Sequence, residues 1–160
     1  MPTKAPARNK YENRDDDRVF SEAERAAVAA TARERKAASG RSPEEQRAEG
    51  LKDLRDSLAK MPTDDRAMGE RIHNIVTEAV PALVAKTYYG MPAYATEGKN
   101  GKVIAFFKPK SKFRVRYSTV GFQPDARLDD GEMWPTEFAV VKLTPAVEKR
   151  IAGLIKKAAG

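Results

Sequence analysis

Four groups of residues have types and spacings that could do chemistry. The first is cationic. Lys99, Lys102, Lys108, Lys110, Lys112, Arg114 and Arg116 follow one another with no acid between them, interleaved with Phe106, Phe107, Phe113 and Tyr117. Cations with nearby aromatics suit a phosphate backbone and its bases. Lys108, Lys110, Lys112, Arg114 and Arg116 are the candidate nucleic-acid contacts. The plainer reading of the same run is a wet strand face whose lysines protect a sheet edge. The second group is acidic: Asp125, Asp129, Asp130 and Glu132 place four carboxylates within a short span. Hard oxygen donors suit iron, manganese, magnesium or calcium, although the spacing is not that of an EF-hand loop. An Asp-Gly turn with solvated charges explains these residues equally simply.

The third group is Tyr89-Gly90-Met91-Pro92. Two aromatics (with Tyr88) and a thioether around a glycine-bent backbone could floor a ligand pocket, with Trp134 as a further wall. Structurally, the same residues read as a backbone bend, a strand start and a gap-filling Met. The fourth is His73, alone on the flank of an apolar helical stripe. No phosphate loop, dinucleotide fingerprint or Ser-His-Asp order is present, and no nucleophile is paired with a base. The residues therefore predict a non-enzymatic protein.

Composition narrows the field. The 160 residues contain no Cys and one His, with 30 Lys+Arg against 23 Asp+Glu, a net charge of +7. Thiolate metal sites, disulfide frameworks and Cys nucleophiles are excluded. No apolar run reaches the length of a membrane span. Residues 1–10 are basic without a following apolar stretch, so no secretory signal is expected. The expectation is a cytoplasmic protein without membrane contact.

The elements that must position these groups follow from start signals and periodicity. From Phe20 to Gly50 the only large apolar side chains are Phe20 and Val28. The segment has high helix propensity but little to bury. Ser21 and Glu24 form a capping box, which predicts a solvated helical arm over 20–50, preceded by a disordered tail over 1–19. Ser42-Pro43-Glu44-Glu45 starts a second helix that carries Leu51, Leu54, Leu58 and Met61 on one stripe. A third begins near Thr63 and presents Met68, Ile72, Ile75, Val76 and Ala79. Pro81 ends it or opens a short helix through Leu83 and Ala85.

The period then changes. Short strands are expected at Ala93–Thr96, Lys102–Lys108 and Glu137–Leu143, with an Asn100-Gly101 turn. Lys112–Tyr117 alternates strictly, which predicts a strand with Phe113, Val115 and Tyr117 inward and Lys112, Arg114 and Arg116 outward. Gly121 to Pro135 reads as loop. Thr144-Pro145 opens a final helix with Val147, Ile151, Leu154 and Ile155 on one face. The result is an α+β domain over 51–160, with an antiparallel sheet of four to five strands, helices on one face, and an N-terminal helical extension.

Residues 51–160 also resemble a bacterial family of unknown function, the YdhG-like domain. The likeness rests on Tyr88-Tyr89-Gly90-Met91-Pro92-Ala93-Tyr94, on the hairpin Lys99-Asn100-Gly101-Lys102-Val103-Ile104-Ala105-Phe106-Phe107, and on the strand–helix step at Val140–Ile155. Lys112-Phe113-Arg114-Val115-Arg116-Tyr117 and Leu128-Asp129-Asp130-Gly131-Glu132-Met133-Trp134-Pro135-Thr136 look like an actinobacterial-type subgroup with an N-terminal helical extension. One branch of the family is a frataxin-like iron chaperone. The resemblance thus implies a small binding domain of unknown ligand, with iron binding and delivery as one alternative. Association with nucleic acid is the other, suggested by the basic run.

Overall fold

The computed structural model describes residues 21–38 and 41–160. The expected tail over 1–19 lies outside the described residues. Five helices and five strands follow in the order α1 (Glu22–Ala38), α2 (Pro43–Ala59), α3 (Thr63–Ala79), β1 (Val84–Tyr88), β2 (Met91–Ala95), β3 (Val103–Lys108), α4 (Lys110–Phe113), β4 (Ser118–Phe122), β5 (Glu137–Val140) and α5 (Pro145–Ala159). The strands form one antiparallel sheet in sequence order, β1-β2-β3-β4-β5. The fold is α+β.

Helix starts follow their local chemistry. Ser42 caps α2 through the Glu45 amide, while Glu45 accepts from the Ser42 amide in return, and Pro43 occupies the first turn. Both orphan donors are thereby satisfied. Thr144 caps α5 through the Val147 amide. Leu54 and Leu58 of α2, Ile72, Ile75 and Val76 of α3, and Ile151 and Ile155 of α5 are buried against one face of the sheet. That face supplies Tyr94, Ala105, Phe107, Val120 and Phe122. Each of the Leu, Ile, Val and Phe side chains among them contributes about 1.5–3 kcal/mol on leaving water. Arg71 and Glu148 pair in a fork, 2.6 and 3.1 Å, linking α3 to α5. The other face carries a smaller cluster of Met91, Ala93 and Phe106 under Tyr88, Tyr89, Val103 and Phe113.

Three sequence expectations are corrected. Residues 112–117 are not a strand. Lys110–Phe113 is a helical turn that ends on Arg114 in the left-handed region, φ 52°. Asp65 of α3 accepts from the Ser111 amide at 3.1 Å and from its hydroxyl, which stabilises the first turn of α4 from outside the segment. Val115 and Tyr117 are consequently exposed rather than inward. The strand forms later, at Ser118–Phe122, in register with Ala105–Lys108, so Gly121 lies in a strand and not a loop. Second, of the two outcomes expected at Pro81 the helix end is the one found, α3 stopping at Ala79, and in place of a short helix through Leu83 and Ala85 the chain forms the edge strand β1 at Val84–Tyr88. Third, the N-terminal helix is more than a solvated arm. Ala27 and Thr31 of α1 are buried, and α1 lies against β1 and α4. Gly50 has a packing reason: a Cβ there would run into the Ala85 carbonyl oxygen, so α2 approaches β1 closely at that point.

Candidate functional site: a clamped turn beside a cleft

Strands β1 and β2 pair Tyr88 with Met91, leaving Tyr89-Gly90 as a two-residue turn. Both residues have positive φ, 51° and 74°. That is the backbone hand of a type I′ hairpin turn, normally filled by Asn or Gly. Tyr at the first position costs about 1–2 kcal/mol relative to the right-handed region. The turn is held by three side chains from three elements. The Tyr89 amide donates to Thr31 Oγ1 of α1 at 2.8 Å. Ser57 Oγ of α2 donates to the Gly90 carbonyl at 2.8 Å. Lys112 Nζ of α4 donates to the Tyr89 carbonyl at 2.8 Å. The bond from an ammonium is stronger than a neutral one, roughly 1.5–3 kcal/mol. Together these bonds outweigh the cost of the left-handed Tyr.

Beside the turn lies a cleft of about 720 Å³, bounded by α1, the C-terminal half of α2, the β1–β2 turn and α4. Ala30 and Arg33 line it from α1; Asp53, Asp56 and Ser57 from α2, with Lys60 at its C-cap; Ser111 and Lys112 from α4. Asp53, Ser57 and the C-cap residue Lys60, still in the αR region, recur at i, i+4 and i+7, so they share one side of the end of α2. Burial, aided by the Glu49 carboxylate, pushes the Asp53 carboxyl above its usual value. The cleft walls therefore carry both signs of charge with hydroxyls between them.

Of the five residues expected to form a pocket, only Gly90 lines this cleft. The Tyr89 ring instead meets Tyr88 edge-on, at 4.4 Å between centroids. Met91 is buried in the smaller cluster, and Pro92 is fully buried. Trp134 packs against the main core, so it belongs to a different cluster from Tyr89 and Met91. In the sequence the apolar stripe at Leu51, Leu54 and Leu58 is the dominant pattern of α2 and masks the polar residues that line the cleft. The polar i, i+4, i+7 set on the flanking side was the available signal.

The acidic loop does not assemble. Asp125, Asp129, Asp130 and Glu132 are all exposed. Among the described residues no group of three His, Asp or Glu side chains could hold a metal ion. Gly131 has φ 68°, as an Asp-Gly turn requires.

The basic run is redistributed by the α4 turn. Lys108 Nζ sits 4.7 Å from the Phe113 ring centroid and Lys112 Nζ 5.7 Å from it, so these two are committed to local packing. Lys110, Arg114 and Arg116 are exposed. His73 donates to or accepts from the Tyr94 hydroxyl through Nδ1 at 3.1 Å, and its ring stacks on that of Tyr94. Burial of the imidazole holds its pKa below the usual value, and burial drives the Tyr94 hydroxyl strongly upward. Among the described residues no helix is long and apolar enough to cross a membrane. Compared with family models, with curated proteins and with solved structures, the chain matches none of them.

Proposed function

We propose that this protein is a non-catalytic binding domain whose cleft takes a small polar molecule carrying both a cationic and an anionic group. The observation that carries the reading is the turn at Tyr89-Gly90, locked from three sides and set at the wall of a cleft of mixed charge. A bulky residue in the left-handed region persists only where its surroundings over-determine it, and such positions cluster at functional sites. Asp53 and Asp56 offer a seat for an ammonium group, and Arg33 and Lys60 one for a carboxylate. The hydroxyls of Ser57 and Ser111 lie between. The resemblance of residues 51–160 to the YdhG-like family fits a binding role. Its iron-chaperone branch draws no support from the exposed acidic loop.

Saturation-transfer NMR with free amino acids and short peptides tests this reading. Binding is expected in the wild type and lost in both Arg33→Ala and Asp53→Asn, with the thermal midpoint retained in the first and retained or raised in the second. Absence of any transfer, or transfer unchanged in both variants, contradicts it.

A further inference from the structure

We infer that the connector from α4 to β4 is a docking surface for single-stranded nucleic acid, separate from the cleft. Three cations there remain exposed: Lys110 on α4, Arg114 at its left-handed end, and Arg116 two residues on. No Asp or Glu occurs in the sequence between Glu97 and Asp125. Asp65, an acid from elsewhere that bonds this segment, is buried and engaged by Ser111. The three charges are therefore not neutralised along their own segment, and they sit on a chain of net charge +7.

The aromatic component is independent of the charges. Tyr117 is 36% exposed, and the Arg116 guanidinium lies 5.1 Å from its ring centroid. An arginine over an exposed ring is a stacking platform that any base can extend. The left-handed Arg114 turns the chain between Lys110 and Arg116, so the three charges do not lie in the straight row that a strand would give. A short, curved cluster favours a flexible single strand over a rigid duplex. A membrane surface fits less well, because the connector's exposed large apolar groups are limited to Val115 and Tyr117.

The test is fluorescence anisotropy with a labelled oligothymidylate across a salt series. Three variants of the full chain are compared with wild type: Lys110/Arg114/Arg116→Ala, Tyr117→Ala, and a control, Lys149/Lys156/Lys157→Ala, on exposed positions of α5. The first should lose about tenfold or more in affinity and flatten the salt slope by about 2, at roughly 0.7 per phosphate contact in a single strand. Tyr117→Ala should weaken binding about fivefold with an unchanged slope, because stacking releases no counterions. The control should change affinity less than about twofold. Equal losses from the two triple variants overturn the proposal, as does an unaffected Tyr117→Ala. Equal or tighter binding to a duplex, or to phosphatidylserine vesicles, also overturns it.

Discussion

The two hairpin turns of this sheet are built on opposite principles. The β2–β3 turn is held by its own chain. Thr96 accepts from the Lys102 amide through Oγ1 at 2.8 Å and donates its own amide to the Lys102 carbonyl, and Gly101 bonds back to Gly98. Residues 96–100 are all exposed. The β1–β2 turn is held by side chains that lie 58, 33 and 23 residues away. The first turn is local chemistry and stands wherever its residues stand. The second exists only because α1, α2 and α4 converge on it, and the cleft opens where they do. A turn fixed from outside depends on the packing of distant elements; a turn fixed from inside depends only on its own residues.

The largest expected difference comes from releasing the clamps. The variant Thr31→Val/Ser57→Ala/Lys112→Met leaves the polar backbone of Tyr89 and Gly90 without its side-chain partners and should cost about 3 kcal/mol or more. Thr96→Val, which removes a solvated local bond, should cost less than about 1 kcal/mol. Urea unfolding of both variants measures this, and similar losses would break the comparison. A smaller contrast comes from single turn residues. Gly90→Ala places a side chain in the left-handed region and should cost about 1–2 kcal/mol. Asn100→Ala at the exposed tip should stay within about 0.5 kcal/mol.

The smallest effect is a pH dependence. The Asp53 pKa is raised in the folded state, chiefly by burial, so the folded protein holds that proton more tightly than the unfolded chain. Its contribution is fully present below the unfolded value near 3.8 and is lost as pH rises through the folded value. Asp53→Asn should therefore gain stability relative to wild type at neutral pH, with the gain vanishing at the acid end. A loss of stability at neutral pH that vanished on acidification would reverse the sign and place Asp53 in a favourable ion pair.

The same contrast explains what was legible in the sequence. The Ser42 capping box and the Leu54/Leu58 and Ile151/Ile155 stripes are specified by neighbours in the chain and are found where they were expected, and the β2–β3 turn forms one residue earlier than Asn100-Gly101, closing from the Gly101 amide to the Gly98 carbonyl. The misread segments depend on distant partners. Alternation at Lys112–Tyr117 mimics a strand, but Asp65 from α3 stabilises a helical turn there, and Pro109 has no amide to extend the β3 ladder. Strand β1 is an edge with mostly half-buried residues, so its apolar pattern is faint. Gly90 was readable as a bend, whereas a left-handed Tyr89 was not: its own propensity opposes it, and Thr31 and Lys112 impose it.

Amide hydrogen exchange at Tyr89 tests the clamp most directly, because that N–H donates to Thr31 Oγ1 and not to a strand partner. In the wild type it should exchange as slowly as the amides of β2. In Thr31→Val it should speed up to the rate of the exposed Gly98 and Lys99 amides while β2 and β3 stay protected. If the wild-type Tyr89 amide already exchanges as fast as those hairpin-tip amides, the turn is not held by α1, and the account of the site fails.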